Sequence, residues 1–488
     1  MSYPGVDFDV RAWQLLSPAD YVNPEPKPAY HLVVVGAGPA GLISAIGAAG
    51  LGAKVALVER NRMGGDCLNV GCMPSKSLLA FTEQTDHPEF DQAFEWLRQV
   101  RAEIAPHDSV ERYTDAGVDV FLGAGEFNEN GDICVGDAVL KGRRVAICTG
   151  ARAAVPAIPG LQESDPLTNE TVFDLRERPE SLAILGAGAI GCELAQVFAR
   201  LGVRVELFEM AERVLPNESV LASATVAQAL VEAGVALHLG NAVQQVEGSG
   251  RIVTSAGSVE CDRVLVALGR RPNTEDMNLK AAGVEVDEQG FIVSDAKLRT
   301  TNKKVFVAGD CATRLQFTHH ADAQARALIQ NALFFPTARI DELVVPHCTY
   351  TCPEVASVGL SEEQLQAAGI LYEDYEIYFD ELDRTRAMPF SDKMARAAKG
   401  HARVFTQKGK DTILGATIIG ADAGELLGPI CLLMTQNLGL SAAQRTIFSY
   451  PTRSEYLKRL GDAYNRGRMT PFVAGLFKRW LAIIQPRG

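Results

Sequence analysis

Short apolar runs separated by glycine turns set the pattern of the first part of the chain. Residues 31–35 form one such run; a glycine turn, a helical stretch of small residues and a second run at 54–59 follow. Together they read as a β-α-β unit. The pattern returns as a strand at 182–185, a turn at 186–191 and a strand at 203–209. A further strand, 304–308, runs into Gly309-Asp310. From about residue 341 the pattern changes: strand-like stretches such as 413–419 alternate with helical ones such as 424–436, with no third glycine loop. Ahead of the first strand, Pro24, Pro26 and Pro28 mark the opening segment as an extended arm.

Both turns have the sequence of a dinucleotide loop. Gly36-Ala37-Gly38-Pro39-Ala40-Gly41 and Gly186-Ala187-Gly188-Ala189-Ile190-Gly191 each follow a strand and open a helix, with their first glycines 150 residues apart. The first glycine permits the tight turn, the second lets backbone approach a pyrophosphate, and the third allows close helix–strand packing. The helix N-terminus then offers N–H groups and partial positive charge to the phosphates. Glu59 and Glu209 each lie 23 positions after the first glycine, where a carboxylate accepts hydrogen bonds from a ribose. A matched pair carries far more weight than either copy, so two nucleotide sites are expected. At the second, Glu209 favours NADH, because a carboxylate binds the free ribose 2′-OH and repels the 2′-phosphate of NADPH. Met210 and Pro216 follow where an NADPH site would offer Arg; Arg213 is the one nearby cation.

Composition narrows the class. With 488 residues, 47% of them apolar, the chain has the length of about three domains and ample core. A net charge of -13 argues against a nonspecific nucleic-acid surface, which needs clustered Lys and Arg. The opening residues lack the features of a secretory signal, and no apolar run is long enough to span a bilayer. Ten cysteines without a dense disulfide framework point to a reducing, cytoplasmic location.

The candidate chemistry lies in Gly64-Gly65-Asp66-Cys67-Leu68-Asn69-Val70-Gly71-Cys72-Met73-Pro74-Ser75-Lys76. Three readings of the CxxxxC spacing stand: half of a metal site, two inert thiols, or an easily opened disulfide. No second Cys/His cluster of zinc-finger spacing completes a metal site, and no metal ligand is assigned. Five residues of regular helix rise roughly 7.5 Å, beyond the roughly 4.4–6.8 Å Cα separation of a disulfide. A bridge therefore requires distortion, for which Gly71 and Pro74 are suited. A strained bridge has a higher reduction potential, and a nearby helix start favours a thiolate.

With these motifs, the chain resembles the class I pyridine nucleotide-disulfide oxidoreductases, the family of dihydrolipoamide dehydrogenase, glutathione reductase and mercuric reductase. The resemblance covers about residues 30–465. It includes the two glycine loops, the GGxCLNVGCxPSK segment, Thr149-Gly150 and Leu268-Gly269-Arg270-Arg271-Pro272. It also includes Ala308-Gly309-Asp310 and Pro353-Glu354-Val355-Ala356-Ser357-Val358-Gly359. It implies an α/β fold: two Rossmann-like dinucleotide-binding domains plus a C-terminal α+β dimerisation domain. The implied divisions are an N-terminal arm (1–29), an FAD-binding domain (30–155 and 276–340), an NAD-binding domain (156–275), an interface domain (341–465) and a basic amphipathic tail (466–488). FAD would be held by Gly36, Gly38, Gly41, Glu59, Gly65, Asp66, Lys76, Gly125, Thr149, Gly150, Asp310 and Thr318. NADH would be held by Gly186, Gly188, Ile190, Gly191, Glu209 and Gly269. By the same resemblance Cys72 would touch the flavin as a charge-transfer thiolate, and Cys67 would attack substrate. Lys76 and Glu193 would form an ion pair beside the flavin. Electrons would pass from NADH through flavin to the cysteine pair and then to an acceptor, in a homodimer with active sites shared across the interface.

One position departs from the disulfide-reducing members, whose C-terminal His-Pro-Thr segment supplies a base with Glu five residues later. Here the segment is Tyr450-Pro451-Thr452-Arg453-Ser454-Glu455: the Glu is present and the His is Tyr. An unperturbed His near pKa 6.5 is largely neutral at pH 7 and takes a thiol proton, whereas Tyr near 10 is ionised to about one part in a thousand. Tyr450 can donate a hydrogen bond or steer a ligand, which bears against fast dihydrolipoamide or glutathione-disulfide turnover. Mercuric reductases resemble this chain in carrying Tyr there, yet their C-terminal vicinal cysteines have no counterpart in Gln485-Pro486-Arg487-Gly488. Ala189 stands where glutathione reductases carry a gating Tyr. Cys348 and Cys352 read as packing residues or as extra thiols. His319 and His320 diverge by about 100° on a helix and do not readily face one ion.

Three functions remain open: an NADH-dependent oxidoreductase for a lipoyl group or small disulfide, a metal-ion reductase of the mercuric type, and a flavoprotein redox sensor with incidental turnover. In the tail, Thr470 and Pro471 form an N-cap and first helical position. Phe472, Leu476, Trp480 and Ile484 then recur every four residues beside Lys478, Arg479 and Arg487. The stripe either docks on its own dimer or makes peripheral membrane contact.

Overall fold

The computed structural model describes residues 7–387 and 400–484. The start of the N-terminal arm (1–6) and residues 485–488, with Arg487, lie outside the described residues. Strand Tyr30–Val35 forms the centre of a five-stranded parallel sheet, between Val55–Glu59 and Gly142–Ile147. Val118–Leu122 lies beyond the first neighbour and Val305–Val307 beyond the second. Leu32, Val33, Val34 and Leu57 are fully buried, as strands covered on both faces require. Helices Pro39–Gly50 and Thr318–Leu333 supply one cover through Ala40, Ala45 and Leu328. Since the strands run in parallel, the glycine loop after Val35 and Asp310 after Val307 emerge at the same carboxyl edge, where open α/β sheets bind ligands.

The second β-α-β unit builds a four-stranded parallel sheet in the order Ala236–His238, Arg204–Phe208, Ser181–Leu185, Arg263–Val266. Three small antiparallel sheets accompany these, one of them beginning at Gly125–Phe127. The fold is thus α/β with two Rossmann-like parallel sheets, followed by a C-terminal α+β portion. There, strands His347–Thr349, Glu354–Gly359, Ile413–Gly420, His401–Gln407 and Tyr372–Tyr378 form an antiparallel sheet. Helix Ala423–Thr435 buries Leu426, Leu427 and Ile430 in the core of that portion.

The chain divides into two compact units, residues 1–214 with 230–343, and 215–229 with 344–488. Segment 215–229, inside the 156–275 division expected from sequence, therefore groups with the second unit. There Glu218 accepts a hydrogen bond from Ser357 Oγ (2.8 Å) and pairs with His347 Nε2 (2.7 Å).

The opening segment differs from the extended arm the prolines indicate. Phe8–Leu16 is a helix, with Asp7 capping the N–H groups of Asp9 and Val10. Phe8, Ala12 and Leu16, four residues apart, enter the core of the first sheet. The prolines govern only the residues around them; the cap and the four-residue spacing were the local signal. The helix also buries Asp9, which pairs with Arg98 (3.3 Å), Arg101 (3.1 Å) and Arg176 (2.5 Å). Among the described residues no helix is long and apolar enough to cross a membrane.

Candidate functional site

The two glycine loops are near-copies in space. A Cβ on Gly41 would lie 1.7 Å from the Gly36 carbonyl oxygen, and one on Gly191 would lie 1.9 Å from that of Gly186. Only glycine lets each helix start so close to its strand. Helices Pro39–Gly50 and Ala189–Arg200 both begin without a side-chain cap, leaving first-turn N–H groups for a phosphate. Ile190 is exposed in that first turn.

Glu59 and Glu209 do more than wait for a ribose. Glu59 accepts from Ala37 N (2.7 Å) and Asn61 N (2.8 Å), and Glu209 accepts from Ala187 N and Ala211 N, both at 2.9 Å. Each carboxylate thus ties the loop to the end of the next strand, and its remaining lone pairs still fit ribose hydroxyls. Burial pushes the Glu59 carboxyl above the usual range, opposed by the Ala37 and Asn61 N–H groups. Uncapped helix starts, glycine contacts and a carboxylate anchored to the loop backbone fit a dinucleotide at both loops.

The cysteine segment is two helices rather than one distorted turn. Cys67 lies in Gly65–Asn69 and Cys72 opens Cys72–Gln84, with Val70 and Gly71 between them. A Cβ on Gly71 would meet the Asp66 carbonyl oxygen at 2.8 Å, so glycine permits this tight return. Pro74 takes no part in the break; it sits in the first turn of the second helix, where a missing N–H costs nothing. Asn69 Nδ2 staples the short helix to the carbonyls of Met63 (3.0 Å) and Gly65 (2.9 Å).

Both cysteines are half-buried thiols, and the Cys67 thiol hydrogen-bonds to the Cys72 sulfur. That bond draws Cys72 below the ordinary thiol range against its burial, helped by Thr318 and Lys76. The same bond, with burial, drives Cys67 upward. Thr318 Oγ1 lies 3.3 Å from Cys72 Sγ, at the uncapped start of helix Thr318–Leu333. Lys76 Nζ pairs with the buried Glu193 carboxylate at 2.7 Å. The next two residues diverge: His319 stacks on Phe317, while His320 turns inward to Leu315 O (3.0 Å) and Gln324 (3.1 Å).

Arg270 has a role the sequence did not reveal. Its Nη2 bonds to Asp66 and to Ala151 O (2.7 Å) and lies 3.7 Å from Asp310. It therefore brackets two expected cofactor residues from a position distant in sequence. Nearby, Thr149 Oγ1 donates to Asn273 O (2.6 Å), and Asn273 N donates to Gly150 O (2.9 Å). Gly269 O accepts from Ala154 N at 3.0 Å, and Gly125 packs on Val35 and Val58.

Burial pushes the Asp310 carboxyl up to about 6, with Arg270 opposing. A raised folded-state value means that ionising Asp310 costs folding free energy. The cost is absent below the unfolded value and fully present above about 6. Flavin-free Asp310→Asn protein should therefore exceed wild type in urea stability at pH 8, by about 2 kcal/mol, and match it near pH 4. An equal difference at both pH values would contradict this assignment.

In the second unit, Tyr450 Oη donates to Asp383 Oδ2 (3.0 Å), while Glu455 pairs with Arg459 (3.1 Å). Tyr450 is 70% exposed, and the Asp383 carboxylate moves its pKa further up, so the phenol stays a donor. Cys348, on strand His347–Thr349, packs against the core of this unit.

Residues 30–325 match the family described as pyridine nucleotide-disulphide oxidoreductase, and residues 345–460 match its dimerisation domain. A mercuric reductase of Lysinibacillus sphaericus is 33% identical over 456 residues, 88% of this chain and 81% of the relative. A dihydrolipoyl dehydrogenase of Chlamydia muridarum is 33% identical over 449 residues, 88% and 95% of the two chains. The solved Cu(II) complex of the HOCl-induced flavoprotein disulfide reductase RclA from Escherichia coli is similar at a TM-score of 0.81 and 28% identity. That similarity covers 90% of this chain and 100% of the other.

Proposed function

Because the chain belongs to the pyridine nucleotide-disulphide oxidoreductases, we propose that it oxidises NADH and passes the electrons through Cys67 and Cys72 to a lipoyl group or small disulfide. Its family is one of flavin-dependent enzymes with a dimerisation domain. When bound, FAD supplies the two-electron relay between nicotinamide and sulfur. The first glycine loop with Glu59, Gly65, Asp66, Lys76, Gly125, Thr149, Gly150, Asp310 and Thr318 is assigned to FAD. The second loop, with Ile190, Glu209 and Gly269, is assigned to NADH. We place the reaction in the cytoplasm, on the cysteine content.

The observation that carries the proposal is the hydrogen-bonded sulfur pair, with Thr318 and the Lys76–Glu193 ion pair beside Cys72. In the reduced pair Cys67 attacks an acceptor disulfide, forming a mixed disulfide and releasing one thiol. Cys72 then attacks the Cys67 sulfur, releasing the second thiol and closing the Cys67–Cys72 bond. The dithiol loses two electrons and the acceptor gains them. Before attack Cys67 must lose a proton, and its raised pKa makes that step slow without a base.

Tyr450 favours a second reading. As a phenol bonded to Asp383 it is a poor base, whereas a soft metal ion binds thiolates and displaces their protons itself. Several relatives are named mercuric reductases. Steady-state oxidation of NADH and NADPH with lipoamide, a small aromatic disulfide or Hg(II) as acceptor separates the readings. NADH should be favoured by roughly tenfold or more in kcat/KM, and a disulfide should accelerate turnover. Acceleration by Hg(II) alone would select metal reduction, and none by any acceptor would select a redox sensor.

A further inference from the structure

Helix Pro471–Ile483 has no buried residue, and it lies beyond the family's dimerisation match, which ends at 460. Thr470 caps it by accepting from Val473 N (3.3 Å), so the helix has its own start signal. At about 100° per residue, Phe472, Leu476, Phe477, Trp480, Leu481 and Ile483 fill one half of the cylinder. Their exposures run from 51% at Phe477 to 81% at Phe472. Lys478 and Arg479 fall at the two borders of that apolar half, with Gly475 and Ala482 between them on the narrow remaining face. Thirteen residues measure roughly 20 Å, short of the roughly 30 Å hydrocarbon core, so the helix is too short to cross a bilayer.

Charge decides the occupant. From Arg466 to Gly488 there are five cations and no acidic residue, in a chain whose net charge is -13. Among the described residues Arg466, Arg468, Lys478 and Arg479 form no ion pair. A second copy of the helix laid against this one would set like charges side by side, whereas an anionic headgroup layer meets them with opposite charge. Basic residues bordering an apolar face that carries Trp and Phe match a helix lying in the membrane interface. We infer that helix Pro471–Ile483 docks the enzyme on anionic phospholipid surfaces, independently of what acceptor its cysteines reduce.

The test uses the FAD-loaded full chain and sedimentation with vesicles of phosphatidylcholine and phosphatidylglycerol in a roughly 7:3 ratio, against phosphatidylcholine alone. Binding should occur on the anionic vesicles, weaken with added salt, and fall to background in Leu476→Asp/Trp480→Asp with flavin spectrum and native mass unchanged. Lys478→Gln/Arg479→Gln should lower the partition coefficient roughly 30-fold. Absence of binding, or equal binding to both vesicle types, overturns the inference. So does a drop in native mass of the Leu476→Asp/Trp480→Asp protein, which would show that a second copy covers the face.

Discussion

Cys72→Ser is expected to lower disulfide turnover on the order of 10⁴-fold or more, because the mixed disulfide on Cys67 then has no resolving thiol. Cys67→Ser should lose turnover equally, yet differ in a second measurement. The depressed Cys72 pKa means that its thiolate survives as pH falls through the ordinary thiol range and is lost only below it. Thiolate absorbance near 240 nm in the reduced protein should therefore titrate below about 8.5 in wild type. In Cys67→Ser a hydroxyl still donates to the Cys72 sulfur, so part of the depression should remain; in Cys67→Ala that donor is gone. Full turnover in Cys72→Ser would remove it from the electron path. A midpoint at the ordinary thiol value in wild type would remove the stabilising role given to Cys67, Thr318 and Lys76.

Asp9→Ala should destabilise the first unit by about 3–5 kcal/mol, the usual effect of stripping one partner from a buried ion pair. Asp9 and Arg101 are each 1% exposed, and Arg101 Nε and Nη2 have no hydrogen-bond partner. Without Asp9, Arg101 keeps only Asp174, at 3.6 Å and 45% exposed. The urea midpoint of the first unfolding transition should fall accordingly, with Asp9→Asn intermediate because it retains an acceptor. A shift under 1 kcal/mol, on the order of an exposed pair, would show that the cluster contributes no more than surface charges do.

What the sequence made legible was mostly local. Each glycine loop is readable because six consecutive residues and one carboxylate define both the turn and its ligand chemistry. CxxxxC likewise singled out two cysteines, though not the break at Val70-Gly71 between their helices; that return depends on the close approach of Gly71 to the Asp66 carbonyl. Arg270 was visible in its motif but mute, since its partner Asp66 is 204 positions away. Asp9 and Arg101 are 92 apart, and neither residue's neighbours hint at the other. The opening helix was masked by downstream prolines that restrict only their own surroundings. Tyr450 stood out in its motif, but its partner Asp383 follows from tertiary folding alone.

The hold of Glu209 on Ala187 N and Ala211 N has a practical corollary for redesign. An engineer who swaps this acid for a neutral residue, hoping to admit a phosphorylated ribose, also unfastens the glycine turn that the proposal assigns to the pyrophosphate. Under the proposed NADH assignment, coenzyme choice and loop rigidity are inherited together, and a switch has to furnish a replacement acceptor for those two amides.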